Sequence, residues 1–93
     1  MFYETAKNDH GLQFDPFKSC VVPRPIGWIS TISSDGIANL APYSQFQNLT
    51  FDPPYVMYAA NQRTDGSRKD SVENAEQCKE FVYNLVTYNL RDA

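Results

Sequence analysis

The feature that most constrains the fold is a pair of apolar, β-branched runs joined by a turn. Ile26 to Ser33 puts Ile26, Trp28, Ser30 and Ile32 on one face of an extended strand, and Gly27, Ile29, Thr31 and Ser33 on the other. Ser34-Asp35-Gly36 is a turn signal, and Ile37 to Ala41 returns as the partner strand. Just upstream, Pro23 and Pro25 flank Arg24 and forbid regular ladder pairing there. An antiparallel hairpin is therefore expected at the centre of the molecule.

Around this hairpin the signals are less regular. Met1 to Asp15 has no clear period, and residues 1–18 read as a leader before the domain proper at 19–93. Pro42 to Pro54 is too punctuated for a long strand, and Tyr43-Ser44-Gln45-Phe46-Gln47 suggests a single helical turn before Phe51-Asp52-Pro53-Pro54 redirects the chain. Tyr55 to Ala60 is apolar on both faces, as in a strand buried from both sides. Gln62 to Lys69 is a polar loop. Asp70, followed by Glu73 three residues on, is a capping-box-like start for a helix reaching about Cys78. Glu80 to Thr87 is the last strand. Asn89 to Ala93 reads as the opening of a further helix with no stop signal, as though the polypeptide continued. The order β-β-β-β-α-β favours a mainly antiparallel sheet curling into a barrel, since a doubly wound sheet needs more helices.

Composition narrows the function. The 93 residues carry 42% hydrophobic and 14% aromatic side chains, enough for one domain with a core. A net charge of −3 argues against nucleic acid as the main partner, although a local basic cluster can still hold a small anion. Cys20 and Cys78 lie far apart with no neighbouring His, so two buried free thiols are expected rather than a metal site, in a cytoplasmic protein. No apolar run approaches membrane-spanning length. His10 stands alone in the leader and is expected at the surface. No phosphate-binding loop, dinucleotide fingerprint or hydrolase signature occurs, so no catalytic residue is assigned.

Three local patterns remain. Ser67-Arg68-Lys69-Asp70-Ser71 combines hydroxyls, two cations and a helix start, a socket suited to one phosphate. The plainer alternative is a solvated loop and an ordinary cap, and Asp70 as N-cap would occupy donors that a phosphate needs. Asn39-Leu40-Ala41-Pro42-Tyr43-Ser44 offers small and polar groups beside an aromatic face, suited to a flat ligand, or else forms a strand end with Tyr43 in the core. Trp28-Ile29-Ser30-Thr31 is ordinary strand sequence with Trp28 as a core candidate.

Taken in order, Pro23 to Thr31, Asp35-Gly36, Asn39 to Phe46, Phe51 to Pro54, Arg68 to Ser71 and Asn74 resemble the flavin reductase-like, FMN-binding split-barrel family, flavoredoxin-like branch, over roughly Ser19 to Thr87. The resemblance implies a non-covalent FMN near a homodimer interface. Ser67, Arg68, Lys69 and Ser71 would bind its phosphate, the family commonly having Thr at the position of Ser71. Thr31, Asn39, Ala41 and Ser44 would contact the ribityl chain and ring, with Tyr43 nearby. It further implies hydride donation by NADH or NADPH and onward electron transfer to an acceptor, through a barrel completed by strands beyond residue 93. An electron carrier that never uses a nicotinamide, or a barrel that serves protein interaction, are the alternatives. An apolar strand at 55–60 also calls for cover, from a second copy or from further polypeptide.

Overall fold

The computed structural model describes residues 2–93, so Met1 of the expected leader lies outside the described residues. Five strands and one helix follow a 3₁₀ turn at Pro16–Ser19: β1 Gly27–Ile32, β2 Ala38–Tyr43, β3 Phe46–Phe51, β4 Pro54–Tyr58, α1 Asp70–Cys78 and β5 Val82–Asn84. The strands form two antiparallel sheets, β2-β1-β5 and β3-β4, rather than the single curling sheet expected. The chain is mainly β with one helix, and the sheets do not close into a barrel.

The hairpin stands where turn chemistry and alternation agree. Ser33 N–H donates to the Ile37 carbonyl at 2.9 Å, and Gly36 N–H to the Ser33 carbonyl at 2.9 Å. Gly36 takes φ 81°, a backbone that side chains with a Cβ rarely adopt. Register then sorts the residues. Gly27 pairs with Tyr43, Ile29 with Ala41 and Thr31 with Asn39, which sets these six on one face. Trp28, Ser30 and Ile32 share the other face with Pro42, Leu40 and Ala38. The first face is the buried one, and Trp28 is half-buried rather than core.

Several expectations give way to the structure. Tyr43 to Gln47 is not a helical turn: Tyr43 ends β2, and Phe46 begins a strand that pairs along β4. β4 is not covered from both sides. Tyr55, Val56 and Met57 are exposed, because β3 is the only strand beside it and no second layer packs on it among the described residues. The last strand shortens to Val82–Asn84, since only these residues find partners on β1. Tyr88–Leu90 makes a 3₁₀ turn in place of a helix opening. Cys20 is exposed and Cys78 half-buried, so neither is the buried thiol expected. His10 is half-buried, its ring edge-on to Tyr3 at 5.2 Å.

The packed centre is small. Ile29 and Tyr43 are the buried apolar side chains among the described residues. The Cα radius of gyration is 16.1 Å, against about 12 Å for a compact domain of this length. Aromatic contacts join the sheets: Tyr43 of β2 meets Tyr58 of β4, and Phe46 of β3 lies over Gly27 and stacks on Tyr83 of β5, with centroids 4.7 Å apart and planes 18° from parallel. The helix packs on the hairpin through a stripe at Ser71, Asn74, Ala75 and Cys78, spaced for one helical face. Two members of that stripe, Ser71 and Asn74, are polar and buried. Their hydrogen bonds define the site.

Candidate functional site

Buried polar side chains need partners, and those of α1 find them on the hairpin. Asn74 Nδ2 donates to Thr31 Oγ1 at 3.2 Å, and Asn39 Nδ2 donates to Ser71 Oγ at 2.8 Å. The Tyr58 phenol donates to the Ser71 carbonyl at 3.1 Å. Burial, with Tyr43 alongside, raises the Tyr58 pKa above its ordinary value, so this donor stays protonated at neutral pH. Tyr43 and Tyr58 pack with ring centroids 4.9 Å apart, and Lys69 Nζ lies 5.5 Å from the Tyr43 centroid, close enough for a cation–π contact. Three elements therefore converge at the first turn of α1: the β1–β2 face, the end of β4 and the loop before the helix.

Lys69, not Asp70, is the N-cap residue, and no side chain caps the helix. Asp70 instead lies within the first turn and pairs with Arg63 Nη2 at 2.9 Å. The Val72 and Glu73 N–H groups, which an Asp70 cap would have occupied, donate instead to the Lys69 carbonyl at 2.9 and 3.2 Å. It is the Asp70 and Ser71 N–H groups that have no side-chain acceptor. Arg63 also donates to the Arg68 carbonyl, bracing the loop. Ser67 N–H donates to Asp65 Oδ1 at 2.8 Å, and hydrogen bonding to Ser67 holds the Asp65 carboxyl below its usual value.

Of the residues singled out from sequence, Thr31, Asn39, Ala41 and Tyr43 share one sheet face, and Lys69 and Ser71 meet them from the helix start. Ser44, half-buried after β2, lines a cleft of about 250 Å³ with Tyr43 and Lys69. Ser67 and Arg68 stand apart on the exposed loop. Arg68 turns along the helix to Glu76, Nη2 to Oε1 at 2.5 Å, and that hydrogen bond lowers the Glu76 pKa. Ser71 is 2% exposed, with its hydroxyl accepting from Asn39. Sequence reasoning missed Tyr58 and the structural part played by Asn74. A phenol at the end of an apolar strand, and an Asn four residues after the helix start, are the signals that mark them.

No family model matches the chain. Among curated proteins, an uncharacterized protein of Aquifex aeolicus is 52% identical over 67 residues, 72% of this chain and 34% of that protein. The uncharacterized protein YwrF of Bacillus subtilis is 42% identical over 65 residues, 70% of this chain and 31% of that protein. An uncharacterized protein of Deinococcus radiodurans is 44% identical over 71 residues, 72% and 31% of the two chains. The chain spans about a third of the length of the curated relatives it matches. Among solved structures, nitrilotriacetate monooxygenase component B from Bacillus cereus superposes with a TM-score of 0.75 at 28% identity, over 95% of this chain and 44% of that one. The antiparallel arrangement described above is thus shared with part of a monooxygenase component.

Proposed function

We propose that this chain forms part of an FMN-binding, flavin reductase-like oxidoreductase of split-barrel type that takes hydride from NADH or NADPH. The observation that carries the reading is the convergence of Thr31, Asn39, Ala41 and Tyr43 on one sheet face with Lys69 and Ser71 at a helix start. Likeness to a monooxygenase component supports it.

The donor set fits such a ligand. Lys69, Arg68 and the exposed Ser67 hydroxyl supply charge and hydrogen bonds for a phosphate, beside helix N–H groups without a side-chain acceptor. Glu76 competes for Arg68 and must yield it for the guanidinium to reach an anion. The Asn39–Ser71 and Thr31–Asn74 bonds hold the hairpin at fixed distance from the helix, which fixes the helix start and Lys69 against the end of the buried β1–β2 face. Asn39 Oδ1 and the Thr31 and Ser71 hydroxyl protons keep hydrogen-bonding capacity after these bonds form. FMN, when bound, supplies the capacity to accept hydride and pass electrons on. Exposed Tyr55, Val56 and Met57 suit burial by a second copy of the chain or by further polypeptide, with a homodimer as the expected assembly.

The test is anaerobic mixing of the FMN-loaded protein with NADH or NADPH. Bleaching of the flavin band at a saturable rate supports the reading. Flavin that binds but is reduced by neither nicotinamide assigns an electron carrier instead.

A further inference from the structure

The chain has eight Lys and Arg residues against eleven acids. Four of the eight close ion pairs with carboxylates: Lys7 with Glu4, Arg63 with Asp70, Arg68 with Glu76 and Arg91 with Asp92. Three of the remaining four, Lys18, Arg24 and Lys69, line the same cleft of about 250 Å³. Among the described residues no carboxylate lines that cleft. The fourth, Lys79, faces a different cavity that Glu76 and Glu80 also line. Gathering three cations without a counter-charge on an acidic chain costs repulsion, which an anion from solution relieves.

The walls suit one kind of anion. Arg24 Nη1 donates to the Lys18 carbonyl at 2.6 Å, which ties the 3₁₀ turn at Pro16–Ser19 to the Pro23–Pro25 segment and leaves the other guanidinium donors unspent. Ser44, Gln45 and Asn61 bring a hydroxyl and two amides to the same space. Three positive charges with fork and point donors match the charge and tetrahedral oxygens of a phosphate better than a single carboxylate. A volume of about 250 Å³ is enough for a phosphate or pyrophosphate group. We propose that the Lys18–Arg24–Lys69 cleft binds a phosphate group of the protein's ligand. Two sources share that chemistry: the phosphate of FMN, and the pyrophosphate of a dinucleotide reductant. The choice between them rests on the function proposed above; the anion site does not.

Inorganic pyrophosphate titrated calorimetrically into the purified protein tests the site directly. Wild type should bind it, Arg24→Gln about tenfold and Lys18→Gln several-fold more weakly. Lys79→Asn removes the same charge outside the cleft, at a left-handed backbone position that Asn accepts, and should bind as wild type. Thermal melts matching wild type exclude misfolding of the variants. No binding by wild type, or equal weakening in Lys79→Asn, overturns the proposal. Repeating the titration with saturating FMN, riboflavin, NADH or NADPH identifies the source. Block by FMN but not riboflavin assigns the flavin phosphate, whereas binding that survives FMN but is blocked by NADH or NADPH assigns a dinucleotide. Binding blocked by none of these overturns the assignment to the protein's ligand. A protein that binds pyrophosphate in the cleft yet never binds flavin keeps this site and loses the flavin reading.

Discussion

Gly27→Ala probes the joint between the two sheets. An ideal Cβ at Gly27 would stand 2.5 Å from Phe46 Cδ2, 2.7 Å from Cγ and 3.0 Å from Cβ. The last two atoms begin the Phe46 side chain, so no rotation of the ring alone removes the overlap. The ring is also held by its stacking on Tyr83. Overpacking of this kind costs about 1–3 kcal/mol, since neighbours must shift off their rotamers or move backbone. Ala gains roughly 0.5–1 kcal/mol over Gly within a strand, through lower chain entropy in the unfolded state. The two ranges leave a net loss of about 0–2.5 kcal/mol, with a midpoint just above about 1 kcal/mol, at roughly 4–8 °C in melting temperature per kcal/mol for a chain of this size. Melting followed by circular dichroism reads it directly. In a Phe46→Ala background the same Gly27→Ala change should cost nothing or stabilise. A Gly27→Ala effect on melting that is the same in the wild-type and Phe46→Ala backgrounds would refute the contact.

Two further outcomes follow from the polar contacts. Glu76→Gln should release Arg68 and tighten FMN about two- to fivefold, with riboflavin unchanged, as flavin fluorescence titrations would show. The Glu76 carboxyl is held low in the folded state, so the pair's contribution is present above the ordinary carboxylate pKa and lost as pH falls through the lowered value; mild acid just below neutrality should therefore leave the pair intact, and only acid below the ordinary carboxylate range should break it. Thr31→Val keeps the shape but leaves the buried Asn74 amide without its acceptor, at a cost of about 1–3 kcal/mol in urea unfolding, and an unchanged midpoint would show the bond to be dispensable.

The hairpin is legible in the sequence because Ser34-Asp35-Gly36 and the flanking alternation demand the same geometry. Helix α1 is legible too, within a residue at its start. What fails is anything decided by partners distant in sequence. Phe46–Phe51 looks like punctuation between prolines, and only pairing with β4 makes it a strand. The apolar pattern at 55–60 predicts two covered faces, yet cover depends on layers that the pattern cannot supply. For the site, Asn39, Tyr43, Lys69 and Ser71 are named from sequence and stand together in space. The turn of Arg68 toward Glu76 was not legible, because an i+8 pairing along a loop and helix leaves no periodic trace. Neither was the gathering of Lys18 and Arg24 with Lys69, which lies between segments more than 40 residues apart.

The most direct measurement is a paired titration of FMN and riboflavin into the purified protein, wild type and Arg68→Ala, followed by quenching of flavin fluorescence. A charged phosphate contact is worth on the order of 1.5–3 kcal/mol, about ten- to a hundredfold in affinity. FMN should bind wild type more tightly than riboflavin by at least that factor. Arg68→Ala should lose most of the advantage for FMN while leaving riboflavin unaffected. Equal affinities for the two flavins, or no binding of either, would contradict a flavin-binding role built on this helix start.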